Sequence, residues 1–72
     1  MTPEQFKYAR KSCGMSVEAW AHALGYEVKN PRQFISGLET GQRNITPPVA
    51  RLAEMYASFG VPDKFKKPQK PY

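Results

Sequence analysis

The sequence predicts an all-α domain, and three observations carry that reading. Proline directly follows a residue able to cap a helix at Thr2-Pro3, Asn30-Pro31 and Thr46-Pro47. Glycine follows an apolar-periodic stretch at Gly14, Gly25, Gly41 and Gly60, where a left-handed residue closes a helix. No segment of useful length alternates with period two, so no sheet is expected. The expected architecture is a compact four-helix domain over residues 1–60, with room for a vestigial fifth helix, and a basic tail over residues 61–72.

Each helix follows from its own punctuation. The first, about 3–13, starts behind Thr2, which has capping-box spacing to Gln5; Pro3 tolerates the first helical position because its missing N–H has no intrahelical partner there. Phe6, Ala9 and Cys13 line one side of it. The second, about 17–24, starts behind Ser16 and places Val17, Trp20, Ala21 and Leu24 on one stripe. The third, about 31–39, starts behind Asn30 and carries Ile35 and Leu38, with Phe34 beside them. The fourth, about 47–59, carries the longest stripe: Val49, Leu52, Ala53, Tyr56 and Phe59. Core packing accounts for these apolar residues.

Composition bounds the function. Seventy-two residues make one small domain, and a chain of this size buries only about 60% of the surface exposed when unfolded. No run approaches the roughly 18 apolar residues that cross a bilayer, and the N-terminus has no signal-like charged head and apolar run. One cysteine cannot form an intramolecular disulfide, which fits a cytoplasmic protein. Formal charge is +5, favouring an anionic partner. Residues 1–60 carry seven basic and five acidic side chains, whereas residues 61–72 carry four lysines and one aspartate. The proline-rich basic tail reads as extended or disordered. There is no base–nucleophile constellation, metal-ligand spacing or phosphate-binding glycine loop, so neither an enzyme nor a cofactor is expected. His22 reads as a surface or phosphate-facing residue rather than a ligand, and Cys13 as a small buried apolar one.

A short helix, a glycine-containing turn and a second capped helix are the parts of a helix-turn-helix. Small Ala21, Ala23 and Gly25 allow the two helices close approach. Four strings carry a resemblance: Arg10-Lys11 ahead of Gly14-Met15-Ser16; Ser16-Val17-Glu18-Ala19-Trp20-Ala21-His22-Ala23-Leu24-Gly25; Ile35-Ser36-Gly37-Leu38-Glu39-Thr40-Gly41; and Ile45-Thr46-Pro47-Pro48-Val49-Ala50-Arg51-Leu52. In this order they resemble the Cro/C1-type (Xre-like) helix-turn-helix transcriptional regulators, over roughly residues 2–60. The resemblance implies a lambda-repressor-like fold. It also implies an ion pair between Arg10 and Glu39 that ties the first helix to the end of the third. The chain departs from the family's pattern in its five-residue connection, Gly25 to Lys29, and in Val17, where relatives often carry glutamine. It departs again in the segment after Gly60, where Pro62 and Pro68 leave space for little more than one turn.

A third helix entering the major groove N-terminus first would present Asn30, Arg32, Gln33 and Ser36 to base edges. Arginine suits guanine and glutamine suits adenine, each by a bidentate contact. Gly37 leaves a gap where relatives often place another reader. Lys29, Gln42, Arg43 and Asn44 are the candidates for the DNA backbone, and Met55, Tyr56, Phe59 and Phe65 for self-association. Taken together, these features imply a sequence-specific double-stranded DNA-binding regulator. It would be a repressor or autoregulator of the phage, mobile-element or restriction-controller kind, acting as a homodimer on a dyad-symmetric site. The alternative is an antitoxin or anti-activator whose main partner is a protein. A minor third reading has the basic tail meeting RNA or membrane phosphates, with too few apolar residues for a membrane anchor.

Overall fold

The computed structural model describes residues 1–66, which form α1 (Pro3–Ser12), α2 (Val17–Ala23), α3 (Pro31–Thr40), α4 (Pro47–Phe59) and α5 (Asp63–Lys66). The described residues contain no strand, and no helix among them is long and apolar enough to cross a membrane. The chain is therefore all-α, with helix ends within one residue of those predicted for the first four.

The helix starts divide into two kinds. Thr2 closes a full capping box: its side chain accepts from the Gln5 N–H at 3.1 Å, and Gln5 Oε1 accepts from the Thr2 N–H at 2.9 Å. Ser16 Oγ accepts from the Ala19 N–H at 3.1 Å. Asn30 and Thr46 make no such bond. At Asn30 the backbone ψ is 75°, far from the extended values at Thr2 and Ser16. At Thr46 the next two residues, Pro47 and Pro48, have no N–H, so fewer donors need a cap.

Both α1 and α2 end in the same pair of bonds. In α1 the Met15 N–H reaches the Arg10 carbonyl and the Gly14 N–H that of Lys11. The Tyr26 N–H likewise reaches Ala21 and the Gly25 N–H reaches His22 at the end of α2. This reversal puts the penultimate residue in the left-handed region, and Gly14 and Gly25 have φ of 67° and 86°.

Packing, not propensity, holds these helices: α2 has only seven residues, and isolated helices under about 12 residues are marginal in water. α1 packs on α3 and α4, while α2 packs on α3 and α5. Trp20 lies fully buried at the centre, edge-on to Phe6 of α1 and to Tyr56 of α4, each with centroids 5.9 Å apart. Ile35 and Leu38 close the core from α3, and Ala21 and Ala23 are buried between neighbours. Tyr56 donates its hydroxyl to the Ala23 carbonyl at 2.6 Å, joining α4 to the end of α2.

Three features differ from the sequence reading. Phe59 is 85% exposed and leaves the α4 stripe, which ends at Tyr56. Cys13 is half-buried, its thiol 3.4 Å from the Tyr56 carbonyl. The segment after Gly60 is not all tail: Val61 is buried in the core and α5 sits against α2. Pro62 does not prevent this, because its carbonyl accepts the Phe65 N–H and starts the turn. Lys67 and Lys70 lie outside the described residues.

Tyr56→Phe is expected to cost about 1 kcal/mol, the usual net worth of such a bond, read by urea unfolding followed through the single tryptophan. Burial pushes the Tyr56 phenol above its ordinary value of 10.0. The folded chain therefore holds this proton after the unfolded chain has lost it, and stability falls as pH rises above 10.0. Tyr26, also raised by burial, contributes in the same direction. The Phe variant should show a shallower alkaline decline than the native chain; an identical decline would assign the effect to other groups.

Candidate nucleic-acid interface

The position of α3 is fixed at its C-terminal end by a charge. Glu39 lies in the last turn, where a carboxylate opposes the helix dipole. Arg10 of α1 offsets this, with Nε 2.8 Å from Glu39 Oε2 and Nη2 3.4 Å from Oε1. Its Nη1 donates to the Met15 carbonyl at 3.0 Å, so one guanidinium joins α1, the turn before α2 and the end of α3. The side chains are 14% and 8% exposed, enough shielding for the pair to matter.

With Ile35 and Leu38 held inward, a helix turning about 100° per residue sends Arg32, Gln33, Ser36 and Thr40 outward, and all four are exposed. Asn30 stands at the start of this face and donates its amide to Gln33 Oε1 at 3.3 Å instead of capping the helix. Arg32 Nε lies 3.3 Å from Glu18 of α2, in a pair exposed on both sides. Such a pair is worth at most about 1 kcal/mol and yields readily to a stronger acceptor. Thr40, not singled out by sequence, donates its hydroxyl to the Ser36 carbonyl at 2.9 Å.

Gly37 is not the gap the sequence suggested. It is buried, and the side chain of Arg43 covers it. The Arg43 N–H donates to the Gly37 carbonyl at 3.0 Å, and its guanidinium lies over the Phe34 ring, 4.8 Å from the centroid. Phe34 in turn packs against Tyr26 at 4.6 Å, so the connection between α2 and α3 serves to cover the start of α3. Val28, Asn30, Gln33, Phe34 and Arg43 together line an open groove. A glycine inside a helix costs about 0.5–1 kcal/mol relative to alanine. That cost was the available sequence sign that something needs the space.

Lys29, Gln42 and Asn44 are exposed beside this face. Across residues 17–46, three basic side chains (Lys29, Arg32, Arg43) stand against three acidic ones (Glu18, Glu27, Glu39). With Glu39 turned in to Arg10, the exposed charges of this segment are Lys29, Arg32 and Arg43 against Glu18 and Glu27, a mixed surface with a slight basic excess. His22 lines a separate groove with Glu27, Lys64 and Phe65. Among the described residues no group of three His, Cys, Asp or Glu side chains is placed to hold a metal ion.

The proposed self-association residues separate into two groups. Tyr56 belongs to the core, because its ring meets Trp20 and its hydroxyl is bonded to Ala23. Met55 and Phe59 are exposed and, with Val61 and Pro62, border an apolar groove at the end of α4. Phe65 is exposed on α5, with Lys64 Nζ 5.1 Å from its ring centroid.

Arg10→Ala should leave Glu39 and the Met15 carbonyl without this partner and cost about 2–4 kcal/mol, somewhat less than for a fully buried pair. Replacing Arg10 and Glu39 together by methionine should recover most of the loss in urea unfolding. A double variant as unstable as the single one would show that the pair does not act as a unit. No protein-family model matches the chain, and neither a curated protein nor a solved structure matches it.

Proposed function

We propose that this chain is a sequence-specific double-stranded DNA-binding regulator of the helix-turn-helix type. The observation that supports this reading is the division of α3 into two sides: Ile35 and Leu38 buried, and Arg32, Gln33 and Ser36 exposed. A rigid helix bearing fork-shaped donors and amides on a free face suits the major groove, where base edges carry distinct donor and acceptor patterns. The Arg10–Glu39 pair keeps that face at a fixed angle to α1 and α2.

Docking would exchange the Arg32–Glu18 contact for one to a base. Lys29, Gln42 and Asn44 flank the face and would reach phosphates, fixing register without reading sequence. Because residues 1–60 carry only two more basic than acidic side chains, the body should contribute modest non-specific attraction. Operator occupancy that excludes polymerase is the simplest mode of action for such a domain. One helix reads few base pairs, so two copies on a dyad-symmetric site are expected, in the cytoplasm and with no cofactor.

A second reading, a module whose main partner is a protein, is favoured by the apolar groove beside Met55 and Phe59 and by the mixed charge of the α3 face. Selection of bound sequences from a random duplex pool separates the two. The DNA reading expects an enriched half-site repeated on a dyad. Arg32→Ala should then weaken that site by about 1–3 kcal/mol and relax one base position. Equal loss on cognate and random duplexes would remove Arg32 from base reading. No enriched sequence at all would favour the protein partner.

A further inference from the structure

We infer that Arg43 is a base-reading residue, supplying from the loop after α3 the side chain that Gly37 withholds from the helix. This rests on the DNA reading above and deepens it.

Three observations converge on this residue. First, the side chain of Arg43 runs back along α3. Its backbone N–H is tied to the Gly37 carbonyl at 3.0 Å, and its guanidinium reaches Phe34, one turn before Gly37. A Cβ added at Gly37 would lie 3.0 Å from Arg43 Cδ and 3.1 Å from Cγ, so the glycine is the seat of this side chain. Second, Arg43 forms no ion pair among the described residues, whereas Arg10 and Arg32 each face a carboxylate. Nor does its guanidinium donate a hydrogen bond to another described residue, so its N–H donors are available to a further partner. Third, it shares one groove with Asn30 and Gln33, at the edge of the exposed α3 face opposite Arg32.

A phosphate contact would need only a positive charge, which a lysine on a flexible stem provides. What Phe34 and Gly37 add is a seat that restricts where the guanidinium fork lies, and a positioned fork matters for a two-point contact. The acceptor pair that matches a guanidinium fork in the major groove is O6 and N7 of guanine. Phe34 and Gly37 are then positioning residues, acting through Arg43.

The test is selection from a random duplex pool with the full chain, followed by binding to the selected site and to single-base variants of it. Arg43→Lys keeps the charge and loses the fork. It should reduce discrimination at one base pair by about 5- to 150-fold, the range equivalent to one bidentate contact, and leave the other positions unchanged. Gly37→Val keeps Arg43 itself but puts a branched group where the arginine stem lies, which a single Cβ would already press on at 3.0 Å; it should relax the same base pair. Thermal unfolding of both variants checks that the fold is retained. Uniform weakening across all sequences in Arg43→Lys, or an unchanged base preference, would overturn the inference while leaving the DNA reading intact. A native chain that enriches no sequence would overturn both.

Discussion

Arg10 satisfies with one side chain the Glu39 carboxylate on α3 and the Met15 carbonyl ahead of α2. Both partners lie where the chain has just left or is about to leave a helix, and such places hold backbone and charge in need of compensation. Without Arg10, Glu39 would sit against the negative end of its own helix. The pair therefore orients more than it stabilises: it sets how the end of α3 lies on α1, and hence which way the opposite side of α3 looks. The exposed side chains on that helix inherit their geometry from a contact they do not touch.

Behind this pair the core is small and aromatic. Trp20 bridges α1 and α4 by edge-on contacts, and Tyr56 returns a hydrogen bond to the end of α2. Among the described residues no polar or charged residue is buried outright. A core of this size gives a narrow stability margin, so contacts worth one or two kcal/mol carry a large share of it. The seven-residue α2 illustrates the dependence. It presents Trp20, Ala21 and Ala23 inward, and those burials, with the Ser16 cap, hold a segment too short to persist alone.

Helix positions were legible because their signals are local. Proline at the first helical position, glycine after the last and an apolar stripe between them act within a few residues, and all eight ends of the first four helices fell within one position. The all-α class followed from the same signals. Elements dependent on distant partners were not legible. Val61 and α5 looked like tail because Pro62 and the lysines dominate local composition, yet Val61 finds a place in the core and α5 finds α2. Phe59 fits the period of α4 but lies beyond the last place where another element covers that helix, so it stays exposed. Gly37 read as a vacancy, since nothing within the helix shows that residue 43 folds back upon it. The exposure of Asn30, Arg32, Gln33 and Ser36 followed from helical period alone, whereas the Glu18 contact to Arg32 needed the packing of α2 on α3.

The seating of Arg43 on Gly37 also constrains how this sequence can diverge. A Cβ at position 37 already presses on the arginine stem and a larger side chain takes its volume, so positions 37 and 43 are not free to drift independently. A chain of this fold that acquires a larger residue at 37 has its own group there on α3 and no longer has room for a long side chain folded back from the loop. One that keeps glycine at 37 leaves a hollow unless residue 43 is long and flat enough to cover it, with an aromatic ring at 34 beneath its tip. The two states form an exchange between helix and loop. In an alignment of homologues, the signature would be covariation of 34, 37 and 43 rather than uniform retention of any one of them.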